Sequence, residues 1–277
     1  MTGGPQMTFG IGRPTRAVTA LLILCAVFYL LELISFNFMQ VGAMFEYLAL
    51  TPAAVVKRFF VWQPFTYVFL HDPNHFQHIA FNGLLLWFFA SPMERELGMA
   101  RFVRMTIFAT AVTGASVIAV GALLRWANLA VPTLSPVHWY GPTIGISGVG
   151  LAYLTAWALR NRERTILFFF VLPMRAITML WITLGIEVVL ILTQEAAAWP
   201  AHFGGMAFGA VWATAPSWAL GDRLRLWRLK RGSPLRRGLK LVTPARAPAD
   251  DGGDDDGDGD GGQGGGGGPT GPDRRLN

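Results

Sequence analysis

This 277-residue sequence is short of charge. Asp, Glu, Lys and Arg make up 14% of it, against about 25% in an average soluble domain, while 52% of its residues are hydrophobic. The charges that are present cluster between long apolar runs, which is the patterning of a membrane protein rather than of a soluble one. Cysteine is nearly missing too. The lone Cys25 excludes an internal disulfide, and inside the first apolar run it reads as a small buried hydrophobe. No H-E-x-x-H exists anywhere, so His71, His75 and His78 lack the placed glutamate of a zinc hydrolase, and neither metal nor cofactor is expected. No cleavable signal peptide is recognisable: the first apolar run is long, and no small-residue cleavage site clearly follows it. The net charge of +6 does not point to nucleic acid, because the basic residues flank apolar segments, where they orient a chain in a bilayer.

What the sequence does have is a series of such segments. They run from Ala17 to about Ile34, Phe76 to Met93, Phe102 to Leu124, Ser147 to Leu159, Ile177 to Leu192 and Ala201 to Leu220, with Pro216 late in the last. Most approach the ~20 residues that a bilayer core requires. With the N-terminus inside, the cytoplasmic segments carry Arg13 and Arg16, then Arg95, Arg101 and Arg104, then Arg160, Arg162, Arg164 and Arg175, and finally the basic stretch from Arg223 to Lys240. The outer segments carry only Lys57, Arg58 and Arg125. That asymmetry predicts an all-α membrane protein, a bundle of six transmembrane helices with both termini in the cytoplasm. Two connections are irregular. The first, with Lys57, Arg58 and Pro64, is too apolar for a floppy linker and is expected to fold, partly embedded in the membrane; the second holds Pro132, Pro136, His138 and Pro142. The organisation is thus a lead over 1–16, a helical body over 17–220, a basic juxtamembrane segment over 221–247 and an Asp/Gly-rich tail over 248–277 whose composition cannot build a core. Asp254, Asp256, Asp258 and Gly259 match the opening of a calcium loop, but the twelfth position is Gly265 instead of Glu.

The chain is organised around Gly145-Ile146-Ser147-Gly148-Val149-Gly150. A serine flanked by glycines at the start of an apolar helix leaves room for a second backbone. The soluble-hydrolase elbow G-x-S-x-G would need glycine where this chain has Val149. At ~1.5 Å per residue, Ser147 stands about 20 Å above Arg160, and His78 and Asn82 about 24 and 18 Å above Glu94. His202 stands about 21 Å above Pro216 by the same count. In a hydrocarbon core of ~30 Å these residues share one layer, about 10 Å below the outer surface for Ser147. His78 and Asn82, at i and i+4, share a helix face. Ala201, Gly205 and Gly209 form a strip along which two helices can approach closely, with the glycines around Ser147 as the matching surface. Singly, each residue has a plainer reading: a structural histidine, a packing notch at Gly-Ser, interhelical glue at Asn82. Glu187, about 18 Å above Arg175, is either a satisfied structural acid or the lining of a water path, and Glu32 and His138 read as interfacial.

These residues resemble the rhomboid family of intramembrane serine proteases. The resemblance rests on Trp62-Gln63, Phe69-Leu70-His71, His78-Ile79-Ala80-Phe81-Asn82, Glu94-Arg95-Glu96-Leu97-Gly98, Gly145-Ile146-Ser147-Gly148 and Ala201-His202-Phe203-Gly204-Gly205 with Gly209, in that order. It implies a Ser147–His202 dyad without a carboxylate third member. It also implies an oxyanion-binding region made of the Ser147 N–H, His78 and Asn82, with Gly145 and Gly148 beside it, and helix packing at Gly205 and Gly209. The implied substrates are single-span membrane proteins, cut near the outer face of the bilayer with a preference for small residues; the membrane is expected to be a prokaryotic inner membrane. The sequence departs from the family pattern at Gln63, where an arginine is common, and in a His71–His78 segment longer than usual, so that either His71 or His75 matches the family's loop histidine. Two rival classes are an inactive, client-binding relative and a small transporter. The presence of both Ser147 and His202 weighs against the first, and the lack of a visible inverted repeat against the second.

Overall fold

The computed structural model describes residues 12–37, 42–126, 139–168, 172–193 and 198–214. Pro132, Pro136, His138, Pro216, the basic stretch and the Asp/Gly-rich tail lie outside them. The described residues all fall within one compact unit, Met1–Gly221.

The fold is mostly helical. α1 (Arg16–Asn37) and α7 (Met99–Trp126) are each long and apolar enough to cross a membrane, and α9 (Ala176–Leu192) is a shorter apolar helix. α5 (Phe76–Leu85), a π-helical turn over Leu86–Ala90 and α6 (Ser91–Leu97) follow one another without a break. The wide turn falls just ahead of Pro92, which has no N–H to give to the helical ladder. α8 (Ser147–Arg160) and α10 (Trp199–Thr214) complete the long elements. Each apolar segment of the sequence therefore contains a helix.

α8 is the centre. Every residue from Gly148 to Ala158 is buried, as expected of a helix that is apolar all round. By contrast α1 turns Ile23, Leu24, Val27, Leu30, Leu31 and Ile34 outward, and α9 does the same with Trp181, Ile186, Val189 and Leu192. Such rows suit lipid, where the backbone is already satisfied within the helix.

The first connection is folded, as its composition suggested. It contains α2 (Ala43–Leu48), α3 (Pro52–Arg58), α4 (Gln63–Thr66) and a 3₁₀ turn at Tyr67–Phe69. Proline in the first turn of α3 and of α4 occupies positions whose N–H would have no helical acceptor. Gln63 is fully buried. Its Nε2 donates to the Glu46 carbonyl at 3.0 Å, and its Oε1 accepts from the Thr51 N–H at 3.1 Å. The residue that departs from the family pattern thus closes the backbone of its own loop.

One expectation needs correction. The helical bundle also carries a β-hairpin, β1 (Thr165–Phe168) paired antiparallel with β2 (Leu172–Arg175), in the register Thr165 opposite Arg175. A short apolar run of this kind does not distinguish strand from helix by periodicity. Glu32, near the end of α1, is buried within the protein, and both its carboxylate oxygens accept the His71 N–H at 3.1 and 3.0 Å.

Candidate active site

The approach to Ser147 is fixed by backbone. Leu50 and Thr143 exchange N–H···O bonds of 3.0 and 2.9 Å, and the Gly145 N–H donates to the Tyr67 carbonyl at 3.0 Å. Gly145 has φ +103°, a conformation L side chains rarely adopt. A Cβ there would also lie 2.7 Å from His78 Nε2 and 3.6 Å from Asn82 Nδ2. Glycine at 145 therefore allows the turn and brings the α5 side chains against the backbone just ahead of the serine.

Ser147 is the first residue of α8, and no side chain caps that end. The opening N–H groups of an α-helix lack intrahelical acceptors, so donors remain beside the serine hydroxyl. α10 lies directly on this helix. A Cβ on Gly205 would collide with the Gly148 carbonyl oxygen, and one on Gly209 with that of Ala152. One on Gly148 would sit 2.7 Å from the Ala201 carbonyl oxygen. The close approach lets His202 reach across: its Nε2 lies 2.7 Å from Ser147 Oγ. On the other side of the ring, Nδ1 lies 2.7 Å from Glu187 Oε2 of α9, a carboxylate where the resemblance implied none. With Glu187 ionised, and so only able to accept, this contact has the proton on Nδ1. In the neutral ring Nε2 is then the acceptor for the Ser147 hydroxyl. Ser147 and His202 are half-buried and Glu187 is buried.

On α5, the Asp72 N–H donates to His78 Nδ1 at 3.3 Å. The neutral His78 therefore carries its proton on Nε2, the atom that faces Gly145. Asn82 is buried, and its Nδ2 has no hydrogen-bond partner among the described residues. Two side-chain donors thus converge beside Gly145.

The two loop histidines separate clearly. His71 is fully buried, and its ring centroid lies 5.2 Å from that of His78. His75 is exposed, with its Nδ1 2.7 Å from Asp72 Oδ2. Burial works against ionisation of Asp72, but the bonds from the His75 ring and the Asn74 N–H outweigh it and hold the carboxyl below the usual range. Among the described residues no group of three or more His, Cys, Asp or Glu side chains could hold a metal ion.

The structure brings Ser147, His202, His78, Asn82, Gly145, Gly148 and Gly205 to one locus, with Gly209 one helical turn further along the α8–α10 contact. Counting residues along α9 placed Glu187 at a similar depth but gave it no partner. Depth alone does not fix the rotation of a helix about its axis, and at ~3.6 residues per turn the side chain could face any neighbour.

The family model for the Rhomboid domain matches residues 58–218. A comparison with curated proteins found no significant match.

Proposed function

This chain belongs to the rhomboid family, and from that premise we propose that it is an intramembrane serine endopeptidase acting on single-span membrane proteins near the outer face of the bilayer. The observation that carries the reading is the 2.7 Å contact between Ser147 Oγ and His202 Nε2. In the first step His202 Nε2 takes the hydroxyl proton as Oγ bonds to the substrate carbonyl carbon, whose oxygen becomes an anion. The His78 Nε2–H, the Asn82 amide and the Ser147 N–H supply donors for that oxygen. Donors fixed in advance and shielded from bulk water are the most effective kind. The peptide C–N bond then breaks, and the proton on Nε2 passes to the departing amine. A water molecule repeats the sequence: His202 takes its proton, the oxygen adds to the acyl carbon, and Ser147 leaves with the proton returned.

The same reading places six spans in the membrane with both termini in the cytoplasm, and the serine about 10 Å below the outer surface, where water can reach the acyl-enzyme. A helical substrate hides its carbonyl in the i to i−4 ladder and must unwind locally before attack, which favours helix-weakening sequence at the cut. The test is a gel-based cleavage assay in liposomes with a tagged single-span substrate. Wild type should cut it, while Ser147→Ala and His202→Ala should not. A folded wild type that cuts none of several substrates would leave client binding without cleavage as the better reading.

A further inference from the structure

We infer that Glu187 is a positioning residue for His202, so that the nucleophile is driven by a Ser147–His202–Glu187 relay drawn from α8, α10 and α9. This rests on the protease reading above. Two independent features converge on it. The first is geometric: Glu187 Oε2 lies 2.7 Å from His202 Nδ1, while the opposite ring nitrogen lies 2.7 Å from Ser147 Oγ. The second lies in α9 itself. Glu187 is the one charged residue in the helix Ala176–Leu192, and it extends a buried face made of Ala176, Met179 and Leu180. An ionisable group among apolar residues at membrane depth is costly and needs a partner. The structure gives it the imidazole.

Three consequences follow for the chemistry. A carboxylate on Nδ1 selects the tautomer in which Nε2 is free to accept the serine proton. It stops the ring from rotating away from Oγ. It also stabilises the imidazolium formed when Nε2 takes that proton, without itself becoming protonated. Without the carboxylate, no other hydrogen-bond partner among the described residues at Nδ1 would distinguish the two neutral tautomers.

The experiment compares wild type, Glu187→Gln and Glu187→Asp in liposomes on one single-span substrate, resolving kcat from KM. Glu187→Gln keeps the shape but loses the purely accepting group, and kcat should fall by about 10²–10⁴-fold with KM within about threefold, as when a triad carboxylate is amidated. Glu187→Asp should recover part of the loss. Substrate affinity measured in a Ser147→Ala background should not change with Glu187→Gln, whereas a purely structural role would weaken it. A kcat loss under about tenfold, or a loss carried by KM, overturns the inference while leaving the protease reading in place. A wild type that does not cleave overturns both. Should Glu187→Gln fail to fold, ¹⁵N NMR of histidine-labelled wild type decides without any turnover. A His202 ring protonated at Nδ1 and bare at Nε2 supports the assignment, and the reverse tautomer overturns it.

Discussion

A serine hydroxyl becomes a nucleophile only when a neighbour can take its proton, and the resulting oxyanion must find donors already in place. At Ser147 the proposed mechanism draws both from neighbouring helices. In that proposal His202 Nε2, 2.7 Å from Ser147 Oγ, meets the first, and His78 Nε2 and Asn82 Nδ2, both close to Gly145, meet the second with the Ser147 N–H. Removing one donor by His78→Ala or Asn82→Ala should lower kcat by about 10²–10³-fold, read as initial rates of cleavage. Substrate binding to Ser147→Ala carrying the same change should be nearly unaffected. Equal loss in binding and turnover would instead assign these residues to substrate docking. Ser147, His202, His78 and Asn82 could be picked out from the sequence because each is a polar residue at an unusual depth and because spacing along a helix fixes depth. Glu187 was visible on the same grounds, but its partner was not, since the rotation of α9 is decided by packing. The roles of Gln63 and of the Asp72 N–H also escaped. Both act through backbone groups of a loop, for which the sequence has no periodic signal.

At the scale of elements, the contact between α8 and α10 does most to hold the site together. Gly205 and Gly209 meet the carbonyls of Gly148 and Ala152 so closely that a Cβ has no space. Gly205→Val should push α10 away, destabilise the protein by about 1–3 kcal/mol as overpacking does, and abolish cleavage because His202 no longer reaches Ser147. Thermal unfolding in detergent, run beside the cleavage assay, checks both; a stable and active variant would show that the helices do not need this approach. The connection over 71–78 gives a pH-dependent counterpart. The Asp72 pKa is lowered in the fold, so its contribution is fully present above its unfolded value of about 3.9 and disappears as pH falls through the lower folded one. The difference in melting temperature between wild type and Asp72→Asn should therefore be larger at pH 7 than at pH 3; an unchanged difference would contradict this role. The helices were legible as apolar segments with ends close to those observed, except the end at Leu220, which lies outside the described residues. The hairpin was not, because Thr165-Ile166-Leu167-Phe168 is too short and too uniformly apolar to reveal a period of two.

For the molecule as a whole, the claim is a topology. The positive-inside pattern puts Lys57 outside and Arg162 inside. The single native cysteine, Cys25, is buried, which makes a Cys25→Ala background convenient for mapping. In intact cells a membrane-impermeant maleimide should label Lys57→Cys directly and Arg162→Cys only after lysis; the opposite order would invert the topology and move Ser147 toward the cytoplasmic face. Composition made the membrane assignment plain, because low charge and long apolar runs leave few other solutions. The first connection was legible only as folded. Its internal order depends on side chains such as Gln63 meeting backbone groups more than ten residues away.

The central claim is that Ser147 is an activated nucleophile, and covalent capture tests it most directly. Purified, folded wild type would be treated with a fluorophosphonate probe and the adduct located by peptide mass mapping. The account predicts a single adduct on Ser147, absent from Ser147→Ala and from His202→Ala. No adduct on folded wild type, or undiminished labelling of Ser147→Ala, would contradict it.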